Sequence, residues 1–515
     1  MDITRRSFLA SAAAAVGGGL LSCSAGIKRL PDDPFTLGVA SGDPSGDGFV
    51  LWTRLALRPL EIGGGMGSRP VNVRWEVGAD DHFSEIVRSG DAVALPELAH
   101  SVHVELAGLA PDRAYWYRFR VGDHQSDTGR TRTAPPPGSS PARVKFGVAS
   151  CSSYQDGYFT AYDHMVAENF DLVFHLGDYI YEGPSPANKM RKHLGPECTT
   201  LDGYRQRYAQ YKTDESLQAL HAVAPWVFTP DDHEFDNNWA GAIPEEPKPG
   251  EPKVSTEDFL KRRAAAFQAM YENMPLRLPA KPNGPDMQLY RRLAWGKLAD
   301  FFVLDTRQYR TDQPCGDGNK PPSPEQMDPK GTIMGAAQRD WLFDGVARSA
   351  ARWNVLAQQV MIARVDRKPG DGILYSMDQW PGYEVERRRV LQYLHEQKVA
   401  NPVVLSGDIH TNWANDLVAD FAGLGGRTVA SEFVGTSITS GGDGLALPKD
   451  LDKILSDNPF VRFHNAERGY LMCEATPKLW RTDYRTVPFV MKPGAPLQTR
   501  ASFVVESGTP GLKKA

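Results

Sequence analysis

Long apolar runs are missing from this chain of 515 residues: no stretch reaches the roughly 20 residues that a membrane-spanning helix needs. Charge of one sign is not in excess. The net charge of −5 gives no reason to expect a nucleic-acid-binding surface. No internal repeat is present, which argues against a solenoid. Cysteine is scarce, with five residues in all. Cys23 and Cys151 belong to motifs described below. Cys198 and Cys315 lie in Gly/Pro-rich loops and are the pair that could bond in an exported protein. What remains is an ordinary globular composition, 41% hydrophobic and 23% charged. The chain is too long for one core, so two domains are expected.

The first residues read as an address rather than as fold. Thr4-Arg5-Arg6-Ser7-Phe8-Leu9 is a twin-arginine pattern, and a small-residue apolar run from Phe8 to Leu21 follows it. Together they read as a Tat export signal over 1–22, with the Tat translocase as partner and a periplasmic or extracellular destination. Leu20-Leu21-Ser22-Cys23 resembles a lipobox. Two readings stay open there. Cys23 is lipidated and anchors the mature protein to a membrane, or a plain signal is cleaved nearby.

Residues 34–133 read as β-sandwich. Val71, Val73, Trp75 and Val77 alternate with Asn72, Arg74 and Glu76, and Tyr115, Tyr117, Phe119 and Val121 alternate with Trp116, Arg118 and Arg120. Period two over such runs marks half-buried strands. Ala134-Pro-Pro-Pro-Gly-Ser-Ser-Pro-Ala142 is a linker by composition. Beyond it the pattern changes. Strand-like runs at 144–149, 172–176, 226–229, 301–305, 354–358 and 403–406 alternate with helical stretches at 160–168, 257–274, 336–347 and 383–397. That is an α/β layered domain, expected over 143–487. A C-terminal tail is expected over 488–515.

Three motifs carry the chemistry, each at the end of an apolar strand-like run. They are Leu176-Gly-Asp-Tyr-Ile-Tyr-Glu182, Pro230-Asp-Asp-His-Glu234 and Leu405-Ser-Gly-Asp-Ile-His410. Asp178, Tyr181, Asp232, His233, Asp408 and His410 are therefore expected at strand C-termini, where α/β sheets build their sites. Cys151 ends a fourth run. Gly177 lets the backbone turn tightly, so that the Asp178 carboxylate can reach a crevice and bridge two cations. So much charge after the apolar Trp226-Val-Phe-Thr229 is costly unless paired or metal-bound. Asp232 is the expected ligand there, leaving His233 free to contact a phosphoryl group or protonate a leaving group. Thiolate and phenolate suit a trivalent cation, whereas calcium takes oxygen alone. The set can therefore hold two unlike metals.

These segments resemble the PhoD-type alkaline phosphatases. The resemblance rests on Ala149-Ser-Cys151 through Tyr162, His175–Glu182, Asp231–Trp239, Asp305-Thr-Arg-Gln-Tyr-Arg310, Asp378–Tyr383 and Ser406–His410, in the family's order. It implies an α/β four-layer metallophosphatase β-sandwich flanked by helices, preceded by an all-β fibronectin- or Ig-like domain. It implies Fe³⁺ held by Cys151, Asp178, Tyr181 and His410, and one or two Ca²⁺ near Asp178, Asp232 and Asp408. Asn237 or Asn238 is a further candidate contact to metal or phosphate. The implied activity is hydrolysis of phosphate monoesters or diesters by attack of a metal-bound oxygen, with Asp178 and His233 catalytic, in a monomer. Two other readings stay open: a dedicated diesterase of lipid or polymer phosphodiesters, similar to phospholipase D, and a non-catalytic exported binding protein.

Overall fold

The structure is a computed structural model that describes residues 29–247, 249–250, 252–418, 426–447 and 449–515. The signal-like segment 1–22 and Cys23 lie outside the described residues. Two sheets face each other. One has ten strands in the order Thr509–Lys514, Gln498–Glu506, Leu479–Val487, Arg468–Ala475, Val144–Ala149, Leu172–His175, Trp226–Phe228, Val39–Ser45, Gly48–Arg54 and Ser101–Glu105. The other has seven: Arg291–Trp295, Ala299–Val303, Trp353–Ala357, Pro402–Ser406, Thr428–Val434, Asn412–Val418 and Val461–Asn465. The centre of each sheet is parallel. Its strands are buried on both faces, which is why they read as unbroken apolar runs.

Between the sheets lies an apolar core. The Phe146 ring sits 5.4 Å from Phe301 and 5.6 Å from Trp480, both in edge contact. Helices cover the outer faces. On the ten-stranded sheet lie α1 (Thr160–Ala167), α2 (Leu201–Lys212), α3 (Glu215–Val223) and α4 (Thr256–Asn273), through Met165, Tyr208, Leu217 and Phe267. On the seven-stranded sheet lie α5 (Gly335–Arg348) and α6 (Glu384–Glu396), through Leu342, Val346, Val390 and Leu391. The result is helix, sheet, sheet, helix, the four layers expected. The helices α2 and α3 escape the apolar-period reading. The buried face of α2 is Tyr204, Arg207, Tyr208 and Tyr211, rich in polar atoms. Its start is nonetheless signed by Thr200, whose hydroxyl caps Gly203 N, and that of α3 by Asp214, which caps Leu217 N.

The N-terminal all-β segment is a sandwich, but one of its sheets is not its own. Val71–Gly78, Ile86–Ala94, Ala114–Val121, His124–Gln125 and Gly129–Arg132 make a separate five-stranded sheet. Val39–Ser45, Gly48–Arg54 and Ser101–Glu105 oppose it across a core of Phe49, Leu51, Val73 and Tyr117. Those three strands extend the ten-stranded sheet through Gly42, paired parallel with Trp226. A Cβ at Gly42 would meet Pro275 O at 2.4 Å, so only glycine permits the join.

Two expectations need correction. The segment 488–515 is not simply a tail: Gln498–Glu506 and Thr509–Lys514 are the last two strands at one side of the large sheet, with Ala501, Phe503 and Val505 turned into the core. Their alternation is the period-two signal of a half-buried strand. Cys198 and Cys315 are not bonded to each other. Cys198 is buried among aromatic residues, and the Cys315 thiol contacts Ser323 Oγ at 3.0 Å.

Candidate metal centre

The three motifs and Cys151 meet at the C-terminal ends of the parallel strands. The turns there are sharp: Cys151, Asp178, Asp408 and His410 all adopt left-handed backbone, with φ of 58°, 55°, 67° and 58°. Non-glycine residues held in that region store strain, and such residues gather at sites. Gly177 has φ 103°, and a Cβ on it would lie 2.4 Å from Asp231. The first two motif loops therefore touch backbone to backbone. Glu234 fastens them. Its buried carboxylate accepts Asp178 N at 3.1 Å, Tyr179 N at 2.5 Å and Asp231 N at 2.8 Å.

Donor atoms converge in three overlapping groups, each within 4.8 Å: Cys151, Asp178 and His410; Asp178, Asp232 and His233; Asp231, Asp232 and Asp408. Asp178 stands in the first two, Asp232 in the last two. Tyr181 closes the first group: its hydroxyl donates to Asp178 Oδ2 at 2.8 Å and lies 3.2 Å from His410 Nε2. Ser440 Oγ approaches the same hydroxyl at 2.6 Å and the Cys151 carbonyl at 2.7 Å. His233 lies tilted against Tyr181, ring centres 4.2 Å apart, and its Nδ1 meets Glu182 Oε2 at 2.8 Å. The third group contains a protein cation. Buried Arg307 bonds Asp231 at 2.5 Å and Asp378 through two nitrogens at 2.6 and 2.8 Å. It also lies 3.6 Å from Asp232 and 3.8 Å from Asp408.

Electrostatics shows what the donors want. Burial, then the Asp178 charge, pushes the Cys151 thiol and the Tyr181 phenol well up. Burial and Asp232 raise Asp178. Burial and Asp378 bring Asp408 up to about 6. Burial would raise Asp232 too, but Arg307 and His233 outweigh it and hold that carboxyl below the usual range. Burial would lower His233, yet Glu182, Asp232 and Asp178 raise it well above an ordinary histidine. Burial and Arg468 bring His410 down to about 4, the neutral form that ligates metal. Asp231 Oδ2 and Asp232 Oδ1 are buried without a hydrogen-bond partner among the described residues. Buried anionic donors with orphaned oxygens are a fit for cations, which would reverse the proton affinities of the thiol, phenol and carboxylates.

The structure thus brings together Cys151, Asp178, Tyr181, Asp232, His233, Asp408 and His410. It places Asn237 and Asn238 differently. The Asn237 amide donates to Glu245 at 2.6 Å, and the Asn238 side chain contacts Asp317 while its backbone N donates to Asp232 Oδ2 at 2.8 Å. Sequence reasoning gave no role to Glu234, Arg307, Gln379 or Ser440. Glu234 stood inside a motif already quoted. Arg307 and Gln379 sat in Asp305–Arg310 and Asp378–Tyr383, whose order was noted without a function. Ser440 follows an unremarkable Thr-Ser-Ile-Thr run.

Layered sheets with a cluster of candidate cation donors at their strand ends fit the class of metal-dependent phosphoesterases. The model for the PhoD-like phosphatase family matches residues 146–484, and that for the family's N-terminal domain matches 22–135. Alkaline phosphatase D of Bacillus subtilis (strain 168) is 52% identical over 486 residues, spanning 93% of this chain and 82% of that protein. A solved structure of PhoD superposes with a TM-score of 0.91 at 51% identity, covering 95% of this chain and 93% of that one. The chain belongs to the PhoD-like phosphatase family and is a hydrolase of phosphoric esters.

Proposed function

We propose that this is an exported phosphatase and phosphodiesterase using two unlike cations joined at Asp178. Ferric iron would take Cys151, Asp178, Tyr181 and His410; calcium would take Asp178, Asp232 and Asp408. The observation carrying this is that Asp178 stands with Cys151 and His410 in one donor group and with Asp232 and His233 in another, while Asp232 also stands with Asp408. Bound, such cations neutralise the phosphate ester and activate water for attack. The side chains do the rest. Arg307 balances the carboxylates from behind, Glu234 fixes the two loops, and Gln379 Nε2 holds Asp408 Oδ2 at 2.8 Å. His233 keeps its proton because Glu182 takes the Nδ1 side. That leaves Nε2–H to protonate the departing alkoxide.

The twin-arginine segment supports export by Tat to the periplasm or beyond, and Cys23 supports a lipid anchor. The proposed units are a signal at 1–22, the β-sandwich at 34–133, a linker at 134–142 and the catalytic unit from 143. Metal analysis with a visible spectrum tests the cation assignment. A tyrosinate-to-iron charge-transfer band with about one iron per chain is expected. A colourless, iron-free enzyme at full activity overturns it. Turnover of a nitrophenyl monoester against its bis-ester separates the two ester classes.

A further inference from the structure

Helix α2 buries a polar stripe where apolar side chains would suffice for packing. Tyr204, Arg207 and Tyr211 follow one another at three and four residues, so they share one face, and none is more than 1% exposed. Each sends polar atoms to the backbone of a donor loop. Tyr204 Oη donates to Phe235 O at 2.5 Å, in the loop of Asp232 and His233. Arg207 gives the two protons of one nitrogen to the Tyr181 and Gly183 carbonyls. Tyr211 Oη accepts Tyr181 N at 3.2 Å and Tyr154 N at 3.0 Å. One hydroxyl thus joins the Tyr181 loop to the loop that follows Cys151. Tyr181 is gripped at both its N–H and its C=O from one helix.

The Tyr211 proton has its own place. His193 Nδ1 lies 2.8 Å from the Gly183 carbonyl, so the ring proton sits there, and Nε2, 3.1 Å from Tyr211 Oη, is the acceptor. Arg207 also comes within 3.0 Å of Nδ1, but that nitrogen's protons already go to the two carbonyls. Burial, then Arg207, brings His193 down to about 4, so the ring is neutral. The hydroxyl is therefore saturated, with two bonds accepted and one given. A fully satisfied buried group holds its partners in one geometry. At its other end Tyr181 meets Asp178, His410 and Ser440 through the phenol oxygen.

Resting on the reading of Cys151, Asp178, Tyr181 and His410 as the ferric site, we infer that Tyr211 is a positioning residue for it. Its hydroxyl sets the separation of Tyr181 from the Cys151 loop, with His193 fixing the direction of that hydroxyl and Arg207 gripping the far side of Tyr181. Tyr211 touches neither ion nor substrate. It acts through the two loops, as outer hydrogen bonds that orient metal ligands do.

The test sets Tyr211→Phe beside Tyr208→Phe in the metal-loaded full chain. Tyr211→Phe keeps the ring and leaves the Tyr154 and Tyr181 amides without their acceptor. Tyr208 is the control: it is equally buried on the same helix, and its hydroxyl has no hydrogen-bond partner among the described residues. In Tyr211→Phe, iron should be held about tenfold more weakly in competition with a chelator, with calcium content unchanged. The tyrosinate-to-iron band should move from its wild-type maximum. With metal saturating, kcat should fall about tenfold while KM for a nitrophenyl phosphate stays within about twofold. Tyr208→Phe should match the wild type in band, iron affinity and kcat. A Tyr211→Phe protein that melts earlier in urea yet keeps the wild-type band, iron affinity and kcat overturns the inference and leaves the ferric reading intact, since the hydroxyl then serves the fold alone. Equal changes in both variants also overturn it, because any loss on α2 would then suffice. Should Phe at 211 prevent folding, His193→Phe leaves Tyr211 in place and removes the partner of its proton. It should move the same band, and an unmoved band overturns the inference. A wild-type protein fully active without iron overturns the ferric reading and this inference with it.

Discussion

The two halves of the centre handle buried charge in opposite ways. On the Asp231, Asp232 and Asp408 side the protein brings its own cation, Arg307, itself backed by Asp378. Asp232 is consequently held ionised. On the Cys151, Tyr181 and His410 side, among the described residues, no arginine bonds a donor side chain. Arg468 donates to backbone, to the His410 and Gly442 carbonyls at 2.6 and 2.7 Å. Thiol and phenol are there pushed towards their protonated forms. One half keeps one carboxylate, Asp232, ionised for an oxygen-loving cation even with no ion bound, while burial raises its neighbours Asp231 and Asp408. The other depends on an incoming ion of high charge to displace its protons.

The comparison breaks most completely at Asp178, which stands with Cys151 and His410 in one donor group and beside Asp232 in the next. Asp178→Asn should lose turnover by about a thousandfold or more and lose both metals. A variant with full metal content and normal rate would show that the halves are independent. Next come the separate halves. Cys151→Ser should strip iron and the visible band while retaining calcium, and Asp408→Asn should do the reverse, each costing about a hundredfold in rate. Loss of both metals in either variant, read by elemental analysis, would mean one merged site. Gln379→Ala frees Asp408 Oδ2 and should weaken calcium about tenfold, with iron content unchanged, by calcium titration of the iron-loaded protein.

The smallest effect is in stability against pH. Burial raises Glu234 to about 8. Raised above its unfolded value, this carboxyl contributes stability that is full below that value and lost as pH rises through 8. Asp178 and His233 shift in the same direction. His410, brought down to about 4, acts mainly below pH 7 and leaves the upper window clear. Chelated protein should therefore lose on the order of 1 kcal/mol between pH 7 and 8.5, and metal-loaded protein less. Equal slopes in urea melts of the two forms would contradict that difference.

The legible parts of the molecule were those that bury apolar surface with a simple period. The parallel strands and α1, α4, α5 and α6 fall where the pattern put them, within a residue or two at most ends. The donors were legible because Asp, His and Tyr at strand ends have few other uses. What stayed hidden was stabilised by polar groups. The helix α2 buries Arg207, which gives its protons to the Tyr181 and Gly183 carbonyls and so holds the first motif from behind. Such a residue reads as surface in a sequence. The bracing of Glu234 is equally silent, since its partners are backbone amides that every residue carries. The join at Gly42 was hidden because strand pairing between distant segments leaves no local mark.

That join bears on how the chain could be shortened. Trp226–Phe228 is covered on one side only because a strand from the first fifty residues lies against it. Cutting the chain at the 134–142 linker would open a sheet edge that begins with a tryptophan, next to the loops that carry Asp231 and Asp232. Open apolar edges recruit other chains. A catalytic fragment expressed alone would therefore be an aggregation risk rather than a smaller enzyme, because the front segment is the permanent cover of that edge.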